Sequence, residues 1–159
     1  MAHTYTATVA WTRNGEDFLD RRYSRGHVWR FDGGVEVPAS SSPLVVRVPL
    51  SRLDAVDPEE ALLASASSCH MLFFLDFACR AGFRVDSYED AAECLVGPRP
   101  DGKIAVTKVV LKPAIAFSGD KRPSEADLAD LHHKAHEHCF IANSITAEMV
   151  IEPPPPVFA

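Results

Sequence analysis

The segment DPEEALLASASSCHMLFFLDFACRAGF, residues 57–83, decides most of what the sequence predicts about the fold. Its start carries three signals of helix initiation. Asp57 can cap the helix, Pro58 suits the first helical position, and the two glutamates that follow complement the positive helix end. Gly82 supplies a stop signal. We therefore predict a helix from residue 58 to about residue 80, and we expect it to be buried because it is apolar on most of its faces.

The centre of this helix raises a question about Cys69, which stands beside His70 ahead of a run of large apolar residues. A cysteine at this position can be a core residue, a metal ligand or a nucleophile. The adjacent imidazole is a poor candidate for an activating base, because neighbouring side chains on a helix point about 100° apart. Whatever activates Cys69, we do not expect it to be His70.

The composition is that of one ordinary globular domain. The chain has 159 residues, of which 47% are hydrophobic and 24% charged, and its net charge is −6. We place the domain at residues 1–152, and we expect the Pro-rich tail at residues 153–159 to be extended and mobile. The negative charge argues against nucleic acid as a partner, because a surface that follows phosphates needs a basic excess.

The beginning of the sequence, MAHTYTATVAWTRNG, lacks both the basic start and the apolar run of a signal peptide, so we expect a cytoplasmic protein. We also expect no membrane partner, because the longest apolar run, residues 71–75, is far shorter than the roughly 20 residues of a membrane span. In a reducing compartment, the four cysteines are not expected to form a structural disulfide framework.

Most of the remaining chain shows the alternation and composition of β-strands. We predict strands at residues 5–11, 27–31, 34–38, 44–50, 87–96, 102–117 and 145–151, a loop at 13–26, a hairpin turn at 97–102 and a second helix at about 124–140. Strands interrupted by two helices indicate an α+β fold, with the helices packed on a mostly antiparallel sheet.

The four cysteines differ in their surroundings. Cys79 and Cys94 are expected to be small buried hydrophobic residues, whereas Cys69 and Cys139 stand beside polar or titratable residues within predicted helices. The last member of the apolar face of the second helix is either His138 or Cys139. If Cys139 points inward it faces the first helix, but the sequence alone does not show that the two thiols meet.

A competing pattern in the same helix is HHKAHEHC. His132, His136 and Cys139 are spaced i, i+4, i+7, so they would share one helix face and could offer three ligands to Zn²⁺. No nearby motif specifies a fourth ligand, and histidines in a last helical turn are favoured simply by the negative helix end. A metal site and a solvated helix end therefore remain alternatives.

Residues 57–83, followed by one further cysteine in AHEHCFIANSI (135–145), resemble the OsmC and organic hydroperoxide resistance (Ohr) family of thiol peroxidases. The order of predicted elements is similar too, over roughly residues 5–151. The resemblance implies an α+β fold in which two buried helices pack against mostly antiparallel sheets in an intertwined homodimer. It also implies that Cys69 is the peroxidatic thiol and Cys139 the resolving thiol.

Members of this family pair the reactive thiolate with a glutamate and an arginine. The glutamate follows the proline that opens the first helix, and here that residue is Glu59. The arginine comes from the loop after the first strand, where we favour Arg25 over Arg21 and Arg22 because it stands directly before the next strand; Arg47 is a further candidate. As an alternative, the loop arginines form an ordinary solvated surface.

The helical spacing restricts what Glu59 can do. Glu59 and Cys69 are ten residues apart, so a continuous helix separates their Cα atoms by about 15 Å and points them about 80° apart. We therefore predict that Glu59 serves the Cys69 of a partner chain, or that the chain bends before the helix begins.

The resemblance implies a thiol-dependent peroxidase that reduces organic hydroperoxides without a cofactor and is regenerated by an external dithiol or a lipoylated protein. Of the large apolar residues Met71, Phe73, Phe74 and Phe140, we expect one or two to line the substrate pocket and the rest to be core.

Two features depart from the common pattern: His70 follows the first cysteine where many members have an apolar residue, and Phe140 follows the second where proline is frequent. The alternatives from other classes are a metal-binding protein using His132, His136 and Cys139, and a non-catalytic member of the fold that binds an apolar ligand.

Overall fold

The computed structural model describes residues 2–159, which form two compact units, one extending through Ala61 and one from Leu62 to Ala159. The first unit contains a three-stranded antiparallel sheet in the order β1-β2-β3. Its strands are β1 (Ala7–Ala10), β2 (His27–Phe31) and β3 (Glu36–Ala39). The three predicted strands are therefore confirmed, with β1 shorter than expected and β3 shifted by about two residues.

The strand predicted at residues 44–50 is wrong, because this segment is a succession of turns. The backbone N–H of Val46 donates to the carbonyl of Ser42 (2.9 Å), and that of Leu50 donates to the carbonyl of Arg47 (3.1 Å). These local bonds take up backbone groups that a sheet would need. The alternating sequence also has no buried face here, since the side chain of Leu44 is 98% exposed.

The first helix, α1 (Pro58–Arg80), starts where the sequence predicts. The backbone N–H of Glu60 donates to Asp57 Oδ1 (2.8 Å), and the backbone N–H of Asp57 donates to Glu60 Oε2 (3.1 Å). This reciprocal capping box satisfies two donors at the helix start. Asp57 and Glu60 are therefore used in capping, whereas Glu59 is not part of the box.

The end of α1 is equally well defined by Gly82, whose φ is +78°. Its N–H donates to the carbonyl of Cys79 (2.9 Å), and the N–H of Phe83 donates to that of Ala78 (3.0 Å), which is the Schellman pattern. By length and composition α1 also meets the criterion for a membrane span, which the core helices of soluble proteins meet as well.

The second unit has two three-stranded sheets, one with the order β4-β7-β9 and one with the order β5-β6-β8. The strands are β4 (Arg84–Asp90), β5 (Glu93–Pro98), β6 (Ile104–Leu111), β7 (Pro113–Ser118), β8 (Glu148–Ile151) and β9 (Val157–Phe158). The β4/β7 and β5/β6 pairs are antiparallel, whereas β8 and β9 add as parallel edge strands. The fold is α+β, as predicted.

Each of the two long strands predicted in this region is divided between the two sheets. The first predicted strand divides after Asp90, and the second divides at Lys112. At this point the backbone N–H of Lys112 donates to Asp90 Oδ1 (2.6 Å), so the carboxylate replaces a missing partner of the ladder.

The second helix, α2 (Glu125–His138), begins with a capping box between Ser124 and Asp127 and ends earlier than predicted. Cys139 is its C-cap residue with an extended backbone conformation (ψ 110°), so the expectation that Cys139 lies within a helix is wrong. A short 3₁₀ turn, Ala142–Ser144, follows.

The hydrophobic core of the second unit lies between the two helices and the β4-β7 pair. Its buried members are Phe74, Ala78, Phe83, Ile115, Phe117, Leu131 and Ala135. The residues that α1 buries recur every four positions, from Ala66 through His70 and Phe74 to Ala78. One narrow face of α1 thus packs into the core, and Cys69 does not lie on that face.

The C-terminal segment is ordered by pairing, so the expectation of a mobile tail is wrong. Strand β9 pairs in parallel with β7, and the backbone N–H of Ala159 donates to the carbonyl of Phe117 (3.0 Å). The Phe158 ring stacks against that of Phe117, with 5.9 Å between centroids, and Arg122 lies over its ring. These contacts hold the preceding prolines, residues 153–156, along the surface of the unit.

Candidate functional site

Cys69 and Cys139 come together in the second unit. Both are free thiols, and the Cys69 side chain lies close enough to Cys139 to affect its electrostatics. Cys139 has no solvent exposure, whereas Cys69 is half-buried. The Cys139 sulfur also accepts a hydrogen bond from the backbone N–H of Ala142 (3.3 Å), and its thiol lies 4.0 Å from the carbonyl oxygen of Ala66. The structure thus answers the question that the sequence left open, whether these two cysteines meet.

The two thiols are not equivalent electrostatically. Burial raises the pKa of the Cys139 thiol to about 11, and the adjacent Cys69 sulfur contributes in the same direction. Cys139 therefore keeps its proton at neutral pH, and a thiol that keeps its proton is a poor nucleophile. Of this pair, Cys69 is the residue suited to react first with a dissolved substrate.

An open groove of about 420 Å³ lies beside Cys69. We call it the thiol groove, and its lining consists of Ser65, Ser68, Cys69, Leu72, Phe73, Asp76, Phe140 and Ile141. Most of this lining is apolar. Phe140 is 70% exposed and Leu72 is 63% exposed, so these side chains are accessible rather than part of the core. The rings of Phe73 and Phe140 meet edge to face, with 5.4 Å between centroids.

Two of the four apolar residues proposed from the sequence, Phe73 and Phe140, line this groove, whereas Phe74 is core. Sequence reasoning missed Leu72 and Asp76. Helical periodicity could have found them, because positions 69, 72, 73 and 76 follow the i, i+3, i+4, i+7 spacing of one helix face. Ile141 carries no such signal, since it lies beyond the end of α2.

His70 lies in the core, facing α2 and not Cys69. Its Nε2 is 3.1 Å from Nδ1 of His132, and the two rings are almost parallel at 9°. Burial lowers the pKa of each histidine to about 4, so both rings are neutral at physiological pH. The sequence argument that His70 does not activate Cys69 agrees with this geometry.

The histidine-rich end of α2 is partly solvated and partly buried. His133 is exposed and lies 3.4 Å from a Glu137 carboxylate oxygen, whereas His132 is only 6% exposed. The metal alternative is not supported, because the part of the chain that the structure describes contains no group of three or more His, Cys, Asp or Glu that could hold an ion. The proposed i, i+7 spacing fails because Cys139 lies outside the helix.

The candidate arginines belong to the first unit, and they differ in how firmly they are held. The Arg25 guanidinium donates through Nη1 to the carbonyls of Tyr23 and Arg21, and it lies 3.9 Å from the centroid of the Tyr23 ring. Arg25 is half-buried, whereas Arg21, Arg22 and Arg47 are exposed. A guanidinium fixed by its own loop is better suited to a defined role than three exposed ones.

Glu59 is half-buried in the first turn of α1. The helix begins at Pro58 and continues without a break to Arg80, so the chain does not bend between Glu59 and Cys69. The predicted bend is therefore not observed, and the action of Glu59 on a partner chain stays a prediction.

Comparison with known proteins identifies the family. A family described as "OsmC-like protein" matches residues 52–153, which include all of α1, α2 and both cysteines. The chain belongs to the OsmC-like family. Among curated proteins, none shows significant sequence similarity to this chain.

Solved structures of OsmC-like proteins share the whole fold. An OsmC-like protein of unknown function from Vibrio cholerae is 49% identical, with a TM-score of 0.94 over 96% of this chain and 100% of that one. An organic hydroperoxide resistance protein from Elizabethkingia anophelis is 18% identical, with a TM-score of 0.67 over 99% and 96%. The corresponding protein OhrB of Bacillus subtilis is 15% identical, with a TM-score of 0.61 over 96% and 98%. These last two similarities establish the OsmC/Ohr fold.

Proposed function

We propose that this protein is a thiol-dependent peroxidase that reduces organic hydroperoxides to alcohols. The observation that carries the proposal is the pair of neighbouring thiols, an accessible Cys69 and a buried Cys139, beside an apolar groove. An inert core cysteine has no need of a neighbouring thiol or of an open groove.

In the first step the Cys69 thiolate attacks the outer oxygen of ROOH. The O–O bond breaks, the thiolate becomes a sulfenic acid, and the alkoxide takes up a proton and leaves as ROH. A nearby guanidinium favours the thiolate and stabilises the charge that develops on the departing oxygen. We assign this role to Arg25, since its loop already holds its guanidinium in place.

In the second step the Cys139 sulfur attacks the Cys69 sulfenic acid. The S–S bond forms as the S–O bond breaks, and the hydroxyl leaves as water with the proton that Cys139 gives up. Because the two thiols are already neighbours in the reduced state, we expect this step to need little movement. The disulfide protects Cys69 from irreversible oxidation.

An external dithiol then reduces the disulfide by exchange, and the attacking thiolate must reach one of the two sulfurs. Cys69 borders the open groove, whereas Cys139 is fully buried, so we expect the reductant to attack Cys69. We propose a lipoylated protein as the source of this dithiol.

The lining of the thiol groove supports an apolar peroxide as substrate. Leu72, Phe73 and Phe140 offer surface that an alkyl or aryl group can cover, and hydrogen peroxide gains nothing from such contacts. Asp76 at the same groove pairs with Arg80 (2.9 Å), so the two charges offset each other, which suits an uncharged hydroperoxide.

We further propose that the active form is a homodimer in which Glu59 acts on the partner's site. Mixed dimers of Glu59→Gln and Cys69→Ser chains test this directly. If Glu59 acts across the dimer, each heterodimer has one complete site, and a statistical mixture recovers roughly a quarter of wild-type activity. A mixture that stays as inactive as its parents would contradict it.

The first experiment treats the reduced protein with one equivalent of cumene hydroperoxide and maps disulfides by mass spectrometry. We expect a rapid Cys69–Cys139 disulfide, and neither Cys69→Ser nor Cys139→Ser should form it. Cys79→Ser is the matched control, because Cys79 is an exposed thiol on the same helix. If Cys69 and Cys139 both survive excess peroxide while Cys79 is oxidised, the peroxidase proposal fails.

A further inference from the structure

A second cavity in the same unit does not share a single lining residue with the thiol groove. It is a cleft of about 510 Å³ between β7, the first half of α2 and residues 153–156. We call it the proline cleft. Its volume lies in the range of small-molecule sites, and its walls are mainly apolar, with Pro113 and Ile115 from β7 and Leu128 from α2. Only two of its side chains, His132 and Glu125, carry a polar head group.

The outer wall of this cleft consists of four successive prolines. Proline has no backbone N–H, so residues 153–156 present rings and carbonyl oxygens but no hydrogen-bond donor. The wall is held in place from its far end, where β9 pairs with β7 and Arg122 donates to the carbonyl of Ala159 (3.2 Å). The cleft is therefore preformed, and it does not depend on a ligand to assemble it.

Among the described side chains that line this cleft, His132 is the one that can donate a hydrogen bond. Its Nδ1 faces Nε2 of the buried His70, which leaves its own Nε2 for the cleft. The surroundings of His70 Nδ1 decide which nitrogen of each ring carries the hydrogen. Nδ1 of His70 is fully buried and has no partner among residues 2–159.

A hydrogen on that nitrogen would be a buried N–H donor without an acceptor. A lone pair without a donor costs less free energy at such a position. His70 therefore carries its hydrogen on Nε2 and donates it to His132 Nδ1, and His132 in turn carries its hydrogen on Nε2. The low pKa of both rings keeps them neutral, so this donor is uncharged.

From this arrangement we propose that the proline cleft is a second binding site, which takes a small, uncharged, largely apolar molecule whose oxygen acceptor meets Nε2–H of His132. The proline carbonyls and the Glu125 carboxylate disfavour an anionic ligand. A carbonyl or hydroxyl oxygen suits a neutral imidazole donor. This inference does not depend on the peroxidase proposal, because the two cavities lie apart.

The test uses the full-length reduced protein and 2-acetylnaphthalene, whose single acceptor is a ketone oxygen. Titration is followed by methyl NMR, and we expect saturable shifts at Ile115, Leu128 and Ile151, which line the cleft. Replacing the ketone oxygen by CH₂, in 2-isopropenylnaphthalene, should weaken binding about tenfold. The anionic 2-naphthoate should also bind more weakly than the ketone. Histidine ¹⁵N NMR should show the Nε2–H tautomer for His132.

Two substitutions on one helix locate the probe. Ala129 is exposed and lines the cleft, so Ala129→Phe should fill it and weaken binding more than tenfold. Ala126 is also exposed on α2 but is not part of the lining, so Ala126→Phe should have no effect. Cys69→Ser should bind the ketone as well as the wild type does, which separates this site from the thiol groove.

The proposal is overturned if 2-acetylnaphthalene does not bind, or if Ala129→Phe and Ala126→Phe bind it equally. Equal affinity for the ketone and its CH₂ analogue would overturn the polar anchor, as would an Nδ1–H tautomer at His132. Loss of peroxidase activity in any variant bears only on the proposed function and leaves this result unchanged.

Discussion

Cys69 and His70 are neighbours in the sequence, and each makes a polar pair with a residue from the region of α2, yet the two pairs are opposite in character. The thiol pair, Cys69 with Cys139, borders an open groove. The imidazole pair, His70 with His132, is almost completely buried and stays neutral. A rotation of about 100° per residue along one helix is enough to separate a reactive position from a structural one.

The comparison shows that adjacency in sequence is a poor guide to chemical partnership. His70 looks like an activating base for Cys69 only in the linear sequence. In three dimensions its ring serves the contact between α1 and α2, and the residues available to Cys69 are those spaced three or four positions along its own face, together with Cys139.

The largest expected effect tests the thiol pair. Cys69→Ser should reduce the peroxide reduction rate by roughly 10³-fold or more, because it removes the nucleophile. Cys139→Ser should leave the first turnover nearly unchanged and then lose activity as Cys69 is overoxidised. Stopped-flow consumption of cumene hydroperoxide measures both. A first turnover equally slow in the two variants would show that the roles assigned to the cysteines are wrong.

The next effect concerns Arg25, the cation that we propose for the thiol pair. Arg25→Met should slow peroxide reduction by about 100-fold, since it removes the charge that stabilises the thiolate and the leaving oxygen. Arg25→Lys should recover part of the rate. The control is Arg22→Met, because Arg22 is an exposed arginine of the same loop. Similar rates for Arg22→Met and Arg25→Met would show that Arg25 is not the residue that stabilises the thiolate.

The imidazole pair should make the protein sensitive to acid. Folding lowers the pKa of both histidines from 6.5 to about 4, so below pH 6.5 the unfolded chain takes up protons that the folded chain does not. Stability should therefore fall between pH 6.5 and 4, by about 2 kcal/mol or more. Electrostatic interactions with His132 and His136 add to this lowering of the pKa at His70, whereas Asp90 opposes it at His132.

Urea unfolding at pH 7 and pH 4.5 measures this loss. The double variant with leucine at positions 70 and 132 should lose most of the pH dependence, and His133→Leu, which changes an exposed residue, should retain it. A wild-type protein equally stable at both pH values would show that the pair is charged or solvated in solution.

The smallest expected effect tests whether Phe140 of the thiol groove contacts the organic substrate. Phe140→Ala should lower the preference for cumene hydroperoxide over hydrogen peroxide by about fivefold, because it removes part of the apolar surface that only the organic substrate covers. Phe140→Leu should keep most of the preference. Comparison of kcat/KM for the two peroxides provides the measurement, and an unchanged ratio would mean that the substrate does not touch this ring.

The sequence predicted α1 almost to the residue, because its limits depend on local chemistry. The Asp57 and Glu60 cap, the proline at the first helical position and the left-handed Gly82 act within a few residues of the chain. Short segments also indicated the family, the α+β class and the choice of Cys69 and Cys139 as candidates.

Other features depended on contacts that no local pattern contains. Residues 44–50 alternate like a strand but have no sheet to join, and the mobile tail expected at 153–159 gains order only because β7 offers an edge. Cys139 was expected in a helix and is the residue just beyond one.

By itself, the sequence determined where the helices begin and which family the chain belongs to, and it named Cys69 and Cys139 as candidates, because these signals lie in short segments of the chain. Only the tertiary structure decided that Cys69 meets Cys139, that His70 meets His132 across 62 positions, and that two separate cavities flank these pairs. The physical reason is that these pairings result from packing one helix face against another, and packing joins residues that the sequence keeps far apart.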